Sequence, residues 1–179
     1  MANKDALRAL QNRLAERMQQ VRTEQPGVTW LAVDCGGQGL LFPLKEAGEI
    51  FDLGALTPVP HTQPWFSGVV NLRGGICTVV DLAAFLGLRP QGRPVGDQAR
   101  LVAFNAALGV NGALLVDRLE GLRHAADLRL EADDDAAADA DVQRPAFAAA
   151  RWRDAAGRSW QEISLAALAR EAQFLAIAG

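Results

Sequence analysis

The spacing of hydrophobic residues changes once along this chain. In residues 2–22 the large apolar side chains recur every three or four positions, at Leu7, Leu10, Leu14, Met18 and Val21. This period predicts an N-terminal amphipathic helix over residues 1–25, which the Pro26-Gly27 pair ends. Such a helix either docks on its own domain or binds a partner. From Val28 onward, short β-rich runs alternate with turn residues, which predicts a mainly β domain over residues 28–176.

The first half of that domain contains four clear β-rich runs and a weaker one. Cys35 to Gly39 forms a glycine-rich turn between the first two runs, and prolines interrupt the chain from Pro58 to Pro64. The turn lacks the Lys-Ser/Thr pair and the following helix of a phosphate-binding loop, so a plain hairpin is expected. The predicted strands are 29–33, 40–42, 45–51 (or an irregular edge), 69–72 and 76–80, and five strands suffice to close a small barrel.

The stretch from Ser67 to Leu88 reads SGVVNLRGGICTVVDLAAFLGL. The Gly74-Gly75 pair between its two β-rich runs predicts a tight hairpin turn, because glycine accepts positive φ angles. Asp81 is a suitable N-cap for a short helix that begins at Leu82. Arg73 therefore lies at the end of a hairpin, where its planar fork of donors suits protein binding.

A weak internal repeat relates the two halves of the chain. Gly74 and the Asp81-Leu82-Ala83-Ala84 segment have counterparts at the same separation in Gly157 and Ser164-Leu165-Ala166-Ala167. A connector rich in proline and glycine over 88–98 separates the halves, and strands are predicted over 100–104, 113–116 and 117–123. The second half has no Asn-Leu-Arg at the matching place, so the two halves should bind different things.

Composition narrows the class of protein. The net charge is −3 and no basic block is present, which argues against nucleic-acid binding. No signal peptide and no apolar run of about 20 residues is found, so a cytoplasmic protein without direct membrane insertion is expected. Cys35 and Cys77 both fall in predicted strands, where reduced thiols pack as small apolar groups. The acidic residues of 131–141 lack the glycine and glutamate of a calcium loop and predict a solvated loop.

Candidate chemistry is sparse. The sequence holds no Gly-x-Ser-x-Gly, His-Glu-x-x-His or Cys-x-x-Cys motif, and the two histidines, His61 and His124, lie in predicted connectors without sequence partners. Two cysteines and two histidines are a poor zinc set at this spacing. We therefore expect no catalytic residues, no metal and no cofactor, and a protein that works by binding.

The segment from Gly68 to Leu82 resembles the signature of CheW-like coupling proteins, in which Asn-Leu-Arg-Gly follows Gly-Val-Val and leads to a strand ending in Asp-Leu. The resemblance extends over residues 28–176. It implies two SH3-like five-stranded β-barrels sharing a core (about 28–88 and 100–163) and a C-terminal helix over 164–176. Trp65-Phe66 and the N-terminal helix are more similar to the twitching-motility (PilI-type) branch than to the flagellar one.

The resemblance also implies a function. The chain would be a non-enzymatic adaptor that couples the cytoplasmic tip of a methyl-accepting chemoreceptor to a CheA-type histidine kinase, in a pathway that controls type IV pili. The alternative is a stand-alone regulatory module that binds a small ligand or a response regulator without a kinase.

Five residues form the predicted protein-binding site. In the family the arginine of this motif meets the kinase and receptor partners, and this role passes to Arg73, unless Arg73 only pairs with a carboxylate such as Asp81. Asn71 is expected to hydrogen-bond the turn backbone, and Gly74 to let a partner approach. Trp65 either forms an aromatic wall or fills the base of the barrel. Glu49 belongs to the family's receptor-facing edge, which here departs from the Ile/Val pattern and contains Gly48, a residue expected to loosen it.

Overall fold

The computed structural model describes residues 27–90, 94–131 and 144–179. The helix predicted over 1–25 lies outside the described residues, as does nearly all of the acidic segment 131–141. The described part is mainly β, as the sequence predicts. Its strands are β1 (Thr29–Cys35), β2 (Gln38–Pro43), β3 (Ala47–Asp52), β4 (Phe66–Leu72), β5 (Gly75–Asp81), β6 (Arg100–Phe104), β7 (Gly112–Val116), β8 (Arg118–His124), β9 (Leu128–Leu130), β10 (Ala148–Asp154) and β11 (Ser159–Ile163).

These strands form two sheets. One has six strands in the order β8-β1-β2-β11-β10-β9, and the other has five in the order β3-β6-β7-β5-β4. The strand pairing does not follow a division into 28–88 and 100–163, because each sheet takes strands from both halves of the chain. Strands of the two halves meet at two parallel pairs, β2 with β11 and β5 with β7, and at two antiparallel pairs, β1 with β8 and β3 with β6. Every residue of β7 is buried, so this strand fits the middle of a sheet rather than its edge.

The internal repeat is visible in this topology. The series β1, β2, β3, β4 and β5 corresponds in order and pairing to β6, β7, β8, β10 and β11. In each half the third strand pairs with the first strand of the other half, and the last strand pairs with the second strand of the other half. The two halves are therefore intertwined around a pseudo-twofold relation.

Three apolar clusters fill the part of the chain that the structure describes. Side chains alternate across a strand, so β1 directs Leu31, Val33 and Cys35 into a large cluster between the sheets while Trp30 and Ala32 face the opposite side. That opposite side is a smaller cluster with Leu41, Leu128 and Trp160. The five-stranded sheet has its own small cluster around Val79, Leu101 and Leu115. Each sheet thus wraps a small core and shares the large one.

In each half, one short helix follows the last strand. Helix α1 (Leu82–Phe85) begins at Asp81, whose Oδ1 accepts from the Ala84 N–H at 3.1 Å, so the predicted N-cap is confirmed. Helix α2 (Leu165–Leu168) begins in the same way at Ser164, whose hydroxyl accepts from the Ala167 N–H at 3.2 Å. The equivalence of the two caps supports the repeat.

The continuous helix expected over 164–176 is instead two single turns, α2 and α3 (Ala172–Leu175). The chain becomes extended at Glu171, with φ −67° and ψ 123°. This break redirects the chain so that Phe174 enters the large core, where its ring contacts those of Trp65, Phe85 and Phe104. Burial of an aromatic side chain outweighs the loss of a few helical hydrogen bonds.

Candidate protein-docking site

The tip of the β4–β5 hairpin is a two-residue turn at Arg73 and Gly74. Both residues have positive φ angles, 51° and 82°, whereas Gly75 already pairs with Leu72 in the ladder. The turn is therefore one residue earlier than the predicted Gly74-Gly75 pair. Asn71 holds it, because its Oδ1 accepts from the Gly74 N–H at 2.9 Å, as predicted. A non-glycine residue in the left-handed region carries backbone strain, and such strain concentrates at functional positions.

The backbone conformation of the turn leads to opposite predictions for the stability of variants at its two residues. Arg73→Gly should leave the free energy of unfolding unchanged or raise it by up to about 1 kcal/mol, because glycine removes the strain of a positive φ. Gly74→Ala should lower it by about 1–2 kcal/mol, although an added Cβ would meet nothing within 4 Å. Urea titrations of both variants measure this. A loss above about 1 kcal/mol in Arg73→Gly would show that Arg73 is mainly a stabilising residue.

Arg73 makes an ion pair with Glu49 of β3, and the alternative pairing with Asp81 does not occur. Strands β3 and β4 are the two edges of the five-stranded sheet, so this pair bridges the opening between them. The side chains remain 74% and 43% exposed. An ion pair this exposed contributes little stability, and both groups stay available to a partner.

An exposed apolar side chain completes this surface. Ile76 is 69% exposed and lies opposite Asn71 in the β4–β5 register, so the two share one face of the hairpin. We call the group Glu49, Asn71, Arg73, Gly74 and Ile76 the hairpin tip. Arginine is enriched at protein interfaces, and an exposed apolar side chain on the same hairpin adds area that a partner can bury. One indication in the sequence that Ile76 lies near the end of the hairpin is that it directly follows two glycines.

Trp65 does not join the hairpin tip. Its side chain is 7% exposed and stands edge-on to Phe85 and parallel to Phe174, so it fills the large core and forms no aromatic wall. The edge containing Gly48 is irregular, as expected. The β3–β6 register shifts between Ala47 and Ile50, and a Cβ at Gly48 would lie 2.7 Å from the Phe104 carbonyl oxygen, so glycine is required at this irregular position.

A buried ionic cluster supports α1. The side chain of Arg89 is 8% exposed and donates from Nη2 to Asp81 at 2.7 Å and from Nη1 to Asp117. Asp117 also accepts from the Gly36 N–H at 2.6 Å, which connects the cluster to the β1–β2 turn. The role of Arg89 was not predictable from the sequence, because a connector rich in proline and glycine gives no sign of burial.

The described residues contain no group of three or more His, Cys, Asp or Glu side chains that could hold a metal ion. Cys35 and Cys77 are free thiols and both are buried, as predicted, and burial raises the pKa of each. His124 contacts the Thr29 hydroxyl at 3.2 Å. No helix among the described residues is long and apolar enough to cross a membrane.

Comparison with known proteins defines the class. The family model of the CheW-like domain matches residues 29–173, so the chain belongs to the CheW-like domain family. The fold agrees: the crystal structure of the scaffolding protein TtCheW from Thermoanaerobacter tengcongensis superposes with a TM-score of 0.62 at 18% identity, covering 78% of this chain and 90% of that one. This family is one of non-enzymatic scaffold proteins of chemotaxis-type signalling.

Two curated relatives refine the comparison. Protein PilI of Pseudomonas aeruginosa is 33% identical over 89 residues, which are 50% of this chain and 48% of PilI. Chemotaxis protein CheW of Thermotoga maritima is 36% identical over 58 residues, 32% of this chain and 38% of that protein. The matched segments thus span less than half the length of these two relatives.

Proposed function

We propose that this chain is an adaptor that holds a CheA-type histidine kinase and a chemoreceptor tip together. The hairpin tip carries this proposal, because it presents a strained and exposed arginine beside an exposed isoleucine. The other described residues supply a frame of two intertwined sheets. A signal passes because the receptor biases the geometry in which the kinase is held, a coupling free energy between two binding sites.

The similarity to PilI supports a place in type IV pilus control rather than in flagellar swimming. The proposal puts the chain in the cytoplasm, where the kinase and the cytoplasmic end of the receptor are found. Small ligands are a weaker candidate, because the hairpin tip is an open surface rather than a cavity.

Charge reversal at the hairpin tip tests the kinase contact. Arg73→Glu should weaken kinase binding by about 2 kcal/mol or more, since truncation or reversal of a central arginine removes a hot spot. Isothermal titration against the purified kinase measures this. The matched control is Arg100→Glu, an arginine of the same sheet that also pairs with one exposed carboxylate, Asp52. The control should change the affinity by less than about 1 kcal/mol.

A charge swap separates docking from sheet closure. Arg73→Glu combined with Glu49→Arg restores an ion pair between β4 and β3 but leaves the wrong charge at the turn. We expect normal stability and continued loss of kinase binding. Recovery of binding would mean that only the closed sheet matters. Failure of the wild-type chain to retain both a kinase and a receptor in a pull-down would favour the stand-alone module.

A further inference from the structure

A groove of about 500 Å³ lies on the six-stranded sheet, which does not contain the hairpin tip. It runs between the β1–β2 turn and the β10–β11 hairpin, the counterpart of the β4–β5 hairpin in the repeat. The residues that matter for its chemistry are Gly37, Gln38, Arg151, Arg158, Ser159 and Trp160. Nothing in the adaptor proposal uses this surface.

Glycines shape the groove. An added Cβ at Gly39 would lie 2.7 Å from Cε3 of Trp160, so only glycine allows the indole ring to pack flat against β2. Gly37 has a φ of 85°, and the space where its side chain would be is empty within 4 Å. Because no side chain projects from the turn at Gly37, a partner's backbone can approach both the turn and the arginines beside it.

The two arginines of the groove have different partners. Arg158 stacks over the Trp160 ring at 4.3 Å, donates to Asp34 at 2.9 Å and lies 3.4 Å from Glu120. Partial burial acts to raise the pKa of Glu120, but hydrogen bonds from Arg118 and Arg158 bring it below its ordinary value. This carboxylate is thus ionised, and Arg158 is both fixed and neutralised by its neighbours.

Arg151 is held by a neutral group instead. Its Nε donates to Oε1 of Gln161 at 3.2 Å, and the amide of Gln161 is itself anchored on the Ala149 carbonyl at 3.0 Å. Arg151 is exposed, so its guanidinium is oriented without being neutralised by that bond. A planar fork of this kind matches the two oxygens of a carboxylate. The nearby Glu131 accepts from the Ser159 hydroxyl at 2.7 Å and pairs with Arg153, and these contacts, together with the more distant charge of Arg151, lower its pKa.

We propose that this groove binds a carboxylate-bearing segment of a protein partner, with Arg151 as the main donor. A polypeptide fits better than a small anion, because the groove is partly open to solvent and is lined by residues of two separate turns rather than enclosed on all sides. The surface is separate from the hairpin tip, so it would serve an additional contact.

Binding of a fluorescein-labelled glutamate-rich decapeptide, followed by fluorescence anisotropy with the full chain, tests the proposal. Arg151→Gln should weaken binding about tenfold, and Gln38→Glu should weaken it severalfold by adding a carboxylate at the rim. Gln38→Arg should strengthen it. The matched control Arg129→Gln changes an exposed arginine of β9, outside the groove, and should have little effect. Neither Gln38 nor Arg151 lies in the core, so the variants should fold.

Three results would overturn the proposal. Equal losses in Arg151→Gln and Arg129→Gln would indicate unspecific attraction to positive charge. Displacement of the peptide by citrate at a concentration equal to that of the peptide would assign the groove to a small anion. Absence of peptide binding to the wild-type chain at low ionic strength would remove the site. Arg73→Glu should leave peptide binding intact, so failure here and failure of the adaptor proposal are distinguishable.

Discussion

Replacement of Arg89 by methionine is expected to lower the free energy of unfolding by about 3–5 kcal/mol, one of the two largest effects we foresee. The change leaves Asp81 and Asp117 facing each other in a largely buried place without the cation between them. Asp81 is also the N-cap of α1, and Asp117 holds the β1–β2 turn through Gly36. Guanidinium titrations followed by circular dichroism give the change in midpoint at constant slope.

A triple variant tests the reason for this loss. Arg89→Met combined with Asp81→Asn and Asp117→Asn removes all three charges, and asparagine still caps a helix. It should recover most of the stability, because the cost arises from unpaired buried carboxylates. If the triple variant were as unstable as Arg89→Met alone, then the packing of the arginine stem rather than its charge would be responsible.

Phe174→Ala should lower the free energy of unfolding by a similar amount, about 3–5 kcal/mol. The side chain is 5% exposed and meets the rings of Trp65, Phe85 and Phe104, so its removal leaves a cavity between the sheets. Heat or urea unfolding of the full chain measures the loss. At low denaturant concentration the Phe174→Ala variant should still adopt the wild-type fold.

The neighbouring residue provides the matched control. Leu175 is in the same single-turn helix but 53% exposed, so Leu175→Ala should change stability by about 0.5 kcal/mol or less. Equal losses in the two variants would mean that α3 matters as a helix rather than as the carrier of one buried ring. The two variants should differ in stability because the break at Glu171 directs Phe174, and not Leu175, into the core.

Local features of the fold were predictable because local residues determine them. The runs that form β1, β2, β4 and β5 are recognisable by composition, and Asp81 and Ser164 cap helices where the pattern requires it. The pairing of β2 with β11 and of β5 with β7 was not predictable, since it joins segments far apart in sequence. A strand's own pattern says that it is buried but not which neighbour covers it.

The candidate site divides in the same way. Arg73 and Asn71 were identifiable from the motif, and the structure brings Glu49 to Arg73 from a distant strand. Of the two interpretations of Trp65, the aromatic wall was wrong and the core position was right. The sequence could not decide between them, because an aromatic residue after a proline is equally compatible with a surface and a core. The left-handed backbone of Arg73 depends on the hairpin register, which the Gly74-Gly75 pair alone does not determine.

The intertwined halves have a consequence for the origin of the two hairpin ends. Two separate copies of one half, exchanging strands in the same manner, would regenerate both sheets as a symmetric homodimer. Such a dimer would carry identical ends on both sides. Joining the copies in one chain releases that constraint, so that one end can keep Asn71 and Arg73 while the other has Asp154 and Ala156 in the corresponding places. A single polypeptide with this topology can therefore present two unlike faces from one repeated plan.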